Sequence, residues 1–190
     1  MGKLVVTEFV SVDGVFEDPG GSEDFEHGGW TFEYDRGDDG NKFKLDETME
    51  AEAQLLGRVT FEGFAEAWPS REGEFADKFN SMPKYVVSTT LQDPEWNNST
   101  VLPGKDLAAE IAKLKEDVDG VILIAGSVQL VQALLELDLV DELRLMVFPV
   151  LLGEGKRLFG DVSDKKPLRL VDSRTVGEGV GILTYEPVQG

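Results

Sequence analysis

Three short stretches combine residue types that can hold phosphate. Gly57-Arg58-Val59-Thr60 sets a guanidinium and a hydroxyl where a helix reads as starting. Ser88-Thr89 sets two hydroxyls behind an apolar run, and Gly126-Ser127-Val128 offers small residues with bare N–H groups before another helix. A guanidinium is planar and permanently charged, and the first N–H groups of a helix lack intrahelical acceptors, so each stretch suits an anion. Singly, each is an ordinary cap or turn. In an open α/β sheet ligands bind outside the carboxyl ends of the strands, and a ligand with several phosphates would use all three together.

Other chemistries find little material. The chain has no cysteine, which excludes disulfides, thiolate nucleophiles and cysteine-held metals. His27 is the one histidine, no GxSxG elbow accompanies a serine, and His27 reads as an exposed loop residue. GxGxxG is missing after the first strand and no GxxxxGK loop occurs, which argues against a standard Rossmann fold and a P-loop NTPase. Acidic residues are plentiful, but no His cluster or calcium-loop spacing appears, so no metal is expected. A net charge of -19 repels nucleic acid and anionic membranes, and any phosphate ligand needs a local pocket to overcome that field. No apolar run is long enough to span a bilayer and Met1-Gly2-Lys3 begins no basic, apolar leader, so a cytoplasmic protein is expected.

The elements that position these stretches follow from hydrophobic patterning. Lys3 to Ser11 reads as a strand ending at the Val12-Asp13-Gly14 turn. Asp13 to about Phe43 reads as an irregular loop carrying Phe16, Phe25, Trp30, Phe32 and Tyr34, either a lid over a ligand or a loop stapled to the core. A charged helix over Phe43 to Ala53 runs into a buried strand at Ala53 to Leu56, and a short helix runs to about Ala67. Pro83 to Ser88 and Ser99 to Leu102 are strands, and Asp106 caps a helix to about Asp117. Val121 to Ile124 is a strand buried on both faces, and Ser127 stands where it can cap the helix that follows. Glu142 to Val150 is a long strand, and Leu168 to Val176 with Val180 to Pro187 form a hairpin. The sum is one α/β domain over residues 1–190, with a mixed, mostly parallel central sheet flanked by helices and an antiparallel C-terminal hairpin.

In order along nearly the whole chain, Ser11-Val12-Asp13-Gly14, Leu56-Gly57-Arg58-Val59-Thr60-Phe61-Glu62, Lys84 to Ser88, Gly126-Ser127 with Leu130-Val131, Leu139 to Leu143, Pro149, and Leu152-Gly153 with Gly155, Leu158 and Phe159 resemble the dihydrofolate reductase-like superfamily. Within it the chain is similar to the branch of the riboflavin-biosynthesis reductases, the RibD C-terminal domain. The resemblance implies a reductase that binds NADPH and is often a homodimer. It implies that Arg58, Ser88 and Thr89 bracket the adenosine 2′-phosphate. Gly57 and Thr60 would hold the pyrophosphate on one side, and Ala125, Gly126, Ser127, Val128 and Gln129 on the other. Ser11 to Gly14 would lie against the nicotinamide.

Two departures stand out. Ala125-Gly126 replaces the usual Gly-Gly, and no motif selects a proton donor, which leaves Asp13, Asp46 and Glu50 as candidates with Glu47 on the same helix as the last two. Trp30 and Phe32 are candidate substrate contacts. Arg36, Lys156 and Arg157 are candidates for a substrate phosphate. The expected reaction is hydride transfer to a C=N or C=O group of a small pterin-like or pyrimidine-like substrate. The alternative is a non-catalytic NADP-binding sensor or assembly protein on the same fold.

Overall fold

The computed structural model describes residues 1–188. Its strands are β1 (Lys3–Ser11), β2 (Ala51–Gly57), β3 (Lys84–Val87), β4 (Ser99–Leu102), β5 (Val121–Ala125), β6 (Glu142–Phe148), β7 (Leu168–Val176) and β8 (Val180–Pro187). Its helices are α1 (Gly37–Glu50), α2 (Arg58–Ala67), α3 (Glu74–Ser81), α4 (Leu107–Asp117) and α5 (Val128–Glu136), with a 3-10 turn at Trp30–Glu33. The strands form one eight-stranded sheet in the order β4-β3-β2-β5-β1-β6-β8-β7. This is the expected α/β architecture, mixed and mostly parallel with an antiparallel end. No helix among the described residues is long and apolar enough to cross a membrane. The chain divides into two compact units.

The first unit comprises Met1–Val6 and Leu45–Asp141. Here β2 pairs in parallel with β3 and β5, and β3 with β4. β5 is buried at every position up to Ile124, as an unbroken apolar run requires. Phe61, Phe79, Met82, Val86 and Trp96 form the centre of its core. The segment that the sequence reading leaves without an element, Glu74–Ser81, is α3. Phe75 and Phe79 stand one turn apart on it and pack on Trp68 at 5.1 and 4.6 Å between ring centroids. Lys84 is fully buried, its ammonium 4.3 Å from the Trp96 ring and donating to the carbonyls of Asn80, Met82 and Asn97. No carboxylate is among these partners, and burial lowers the Lys84 pKa from 10.5 to about 8.

The second unit comprises Thr7–Lys44 and the chain from Glu142. β8 pairs antiparallel with both β6 and β7. Pro149 falls just outside β6, which ends at Phe148 rather than Val150 because proline cannot donate to a ladder. Trp30, Met146, Phe148, Val180 and Ile182 form the core, with Phe9 and Trp30 edge-on to Phe148. α1 begins at Gly37, six residues before the expected start. The Asp35 carboxylate accepts the Gly37 N–H at 2.7 Å, and Asp38 and Asp39 sit favourably in the positively polarised first turn. A run of Gly and Asp that resembles loop is therefore a helix start. β7 is an edge strand exposed everywhere but at Val176.

Candidate active site

In the first unit, strand register brings the three phosphate-compatible stretches to one edge. Gly57, the last residue of β2, pairs with Val87, the last of β3, so Arg58 and Ser88 leave the sheet side by side. The β5 end is joined to the β2 end directly: the Gly57 N–H donates to Ser127 Oγ at 2.8 Å. A Cβ on Gly57 would lie 3.1 Å from that oxygen, and one on Gly126 would lie 3.0 Å from the Thr60 methyl. Gly126 also has a φ of 71°, which disfavours a side chain independently of space. A side chain at either glycine would press on Ser127 or Thr60, so the two strand ends pack closely against each other's helix starts.

Ser127 departs from its expected role. It occupies the position before α5 in a left-handed conformation, φ 64° and ψ 59°, and its side chain makes no cap. Its hydroxyl reaches across to Gly57 instead. No side chain among the described residues caps the start of α2 or α5, so the first N–H groups of both helices remain available to an anion. Arg58 and Glu62, both about half exposed, form a pair at 2.8 Å one helical turn apart. Ser88 Oγ accepts from the Thr90 and Leu91 N–H groups at 3.2 and 3.0 Å, fixing the turn, and lies 3.5 Å from the Thr90 hydroxyl. Thr89 and Gln129 are exposed, while Ala125 and Val128 are half-buried.

Ser11 and Gly14 lie in the second unit, in a tightly fastened turn. Ser11, 1% exposed, accepts from the Val15 N–H at 2.9 Å and donates to Asp13 Oδ1 at 2.6 Å. Gly14 takes a φ of 81°. The Asp13 carboxylate accepts the Leu152 N–H at 3.2 Å and the Gly153 N–H at 2.8 Å, and the Val12 N–H donates to the Val150 carbonyl at 3.0 Å. The Ser11 hydroxyl, helped by these N–H groups, lowers the Asp13 pKa from 3.8 to about 2. Asp13 is thus held as an acceptor at neutral pH. Of the other acid candidates, which belong to the first unit, Asp46 and Glu50 are exposed, whereas their neighbour Glu47 is 2% exposed.

Beside the fastened turn the second unit contains a recess of about 300 Å³ lined by Glu26, His27, Trp30, Glu33, Leu151 and Leu152, among others. Trp30 is 1% exposed and donates its indole N–H to the Glu17 carbonyl, so it is chiefly a core residue that also lines the recess. Phe32 is 80% exposed and is not part of that lining. His27 lies 3.4 Å from Glu154, and ligand atoms of Glu26, His27 and Glu154 lie within 4.8 Å of one another. Sequence spacing gave no hint of this grouping because Glu154 arrives from a distant turn.

The candidate phosphate cations are engaged elsewhere. Arg36 donates to Asn41 and lies over the Phe9 ring. Lys156 stands 3.5 Å from Glu17, and Arg157 donates to the Asp13 carbonyl.

Comparison with known proteins agrees with this architecture. The chain is 35% identical to the uncharacterized protein YyaP of Bacillus subtilis (strain 168) over 136 residues, 69% of this chain and 71% of that protein. Its fold is similar to that of a Shewanella sp. PV-4 protein attributed to riboflavin biosynthesis, with a TM-score of 0.77 at 22% identity over 98% of this chain and 99% of that one. It is also similar to the dihydrofolate reductase of Enterococcus faecalis, solved with NADP(H), with a TM-score of 0.58 at 16% identity over 98% and 97% of the two chains. At these identities the structural likeness speaks for the fold. The family model of the RibD C-terminal domain matches residues 2–182, and the chain belongs to that family.

Proposed function

We propose that the chain is an NADPH-dependent reductase that delivers hydride to a C=N or C=O carbon of a small heterocyclic substrate. The observation that supports this reading is the meeting of three phosphate-compatible strand ends in the first unit, where Gly57 and Ser127 are hydrogen-bonded beside two uncapped helix starts. The residues suit a pyrophosphate at Gly57, Thr60 and Gly126 to Gln129, and a 2′-phosphate at Arg58, Ser88 and Thr89. Bound there, NADPH would supply the hydride, and the protein would supply orientation and exclusion of water. The assignment of Ser11 to Gly14 to the nicotinamide rests on family membership.

Titrating NADPH and NADH against tryptophan emission tests the cofactor. NADPH is expected to bind more tightly, and Arg58→Ala is expected to cost roughly 1.5–3 kcal/mol toward NADPH alone, the range for charge-assisted hydrogen bonds. Equal losses for both nucleotides would remove Arg58 from the 2′-phosphate.

A second reading, a non-catalytic NADP-binding sensor, is favoured by the state of Asp13, which is held ionised and so is a poor proton donor. It requires NADPH binding without turnover on any carbonyl or imine panel.

A further inference from the structure

The free edge of β7 carries the opposite charge to the chain as a whole. From Lys165 to Arg174 stand Lys165, Lys166, Arg169 and Arg174, four of the 18 Lys and Arg, against Asp172 alone of the 37 Asp and Glu. β7 has β8 on one side and no strand on the other among the described residues, so a row of backbone N–H and C=O groups faces outward. Leu168, Leu170 and Val171 along it are 40%, 49% and 44% exposed. Two copies of a chain of net charge -19 repel one another, and this stretch reverses the sign where they could touch.

The order of residues on this edge makes it complementary to itself. Laid antiparallel on a second copy with the two-fold axis between Leu170 and Val171, Leu170 faces Val171, Arg169 faces Asp172 and Leu168 faces Ser173, each contact occurring twice. Sliding the pair one residue either way sets Leu170 against Asp172 or Val171 against Arg169. A two-fold axis perpendicular to the sheet keeps each face on its own side, so facing residues must come from the same face of β7. In a regular strand residues 169 and 172 would point to opposite faces. The register shift between Leu170 and Asp172 corrects this: Arg169 and Asp172 pair with Glu186 and Thr184 of β8, which share one face, and Leu168 and Ser173 pair with Pro187 and Leu183, which share the other. Bulges and edge charges commonly keep strands apart, whereas here both fit the partner. The surface pairs that Arg169 and Asp172 make within the chain, to Glu186 and Arg174, are weak enough to exchange. We infer that β7 is the docking edge for a second copy of this chain, joined by antiparallel pairing of the two β7 strands.

Sedimentation of the full chain from about 2 to about 200 µM tests it, at about 0.15 M salt, where charges more than about 8 Å apart are largely screened. A monomer–dimer equilibrium is expected within that range. Val171→Asp should weaken it at least about tenfold, and Arg169→Asp and Asp172→Arg each about tenfold, since every broken contact counts twice. Mixed together, with one carrying a dye on its amino terminus, the two single charge-reversal variants regain opposite charges at both contacts, so their hybrid should form within about threefold of the parent's affinity. All three positions are exposed, and circular dichroism should show the parent's fold. A monomer at every concentration, a dimer indifferent to the three variants, or a hybrid no tighter than either variant alone overturns the inference.

Discussion

Replacing Ser127 isolates the contact that joins the β2 and β5 ends. Ser127→Ala removes the acceptor of the Gly57 N–H, a bond of 2.8 Å at a half-buried residue. A hydrogen bond of this kind contributes about 1 kcal/mol net, and a donor left half-solvated recovers part of that from water, so a loss of about 1 kcal/mol is expected. Alanine keeps a Cβ in the left-handed conformation that Ser127 adopts at φ 64°, so the strain is unchanged. Ser127→Gly loses the same bond but relieves about 1–2 kcal/mol of that strain, offset in part by the greater freedom of glycine when unfolded. The glycine variant should therefore be nearly as stable as the parent, and the alanine variant should melt about 2–4 °C lower. Urea and thermal unfolding followed by circular dichroism check the order, with amide exchange at Gly57 faster in both. A glycine variant less stable than the alanine one, or unchanged exchange at Gly57, would refute the argument.

Glu62→Gln frees the Arg58 guanidinium from its 2.8 Å partner and removes a negative charge, so NADPH should bind about two- to threefold tighter with NADH unaffected, as titration would show. Asp13→Asn bears on acid stability. The folded carboxyl titrates at about 2 against an ordinary 3.8, so its contribution is complete above pH 3.8 and is lost as pH falls through about 2. The Asn variant should be less stable at neutral pH and flatter across that window in acid unfolding. Lys84→Met leaves three carbonyls without their donor and should cost about 3 kcal/mol at pH 7 by urea unfolding. Because the unfolded lysine binds its proton more tightly than the folded one, the parent's advantage over this variant should rise between pH 8 and 10.5. A falling difference there would contradict the burial argument.

The strands were legible because their signals are local. Val121 to Ile124 is uninterrupted and apolar, and Ser99 to Leu102 is bounded by turn residues, so both emerge with the expected limits or one residue beyond. Asp106 accepts from the Ala109 N–H at 3.1 Å, as its position before Leu107 suggests. α3 was not legible because Phe75 and Phe79 sit among Glu, Asp, Lys and Asn, and the rings they cover, Trp68, Phe64 and Trp96, all lie outside the helix. The early start of α1 was hidden by its glycines, the first of which, Gly37, is left-handed at φ 66° and donates its N–H to Asp35. In the site, residue types pointed to the three strand ends, but their joining through Ser127 and Gly57 depends on a left-handed backbone that a capping pattern does not reveal. Lys84 could not have been recognised as buried, since its three acceptors are backbone carbonyls and carry no sequence signature.

The hydrogen bond from Gly57 to Ser127 also makes the chain its own indicator. Its proton sits where two strand ends meet and where an entering phosphate oxygen would compete with the serine for it. In a nitrogen-labelled sample the Gly57 amide resonance should shift as a nucleotide enters, before any colour change from turnover exists to be followed. Small-molecule libraries could then be sorted on that single peak by whether they reach the strand ends.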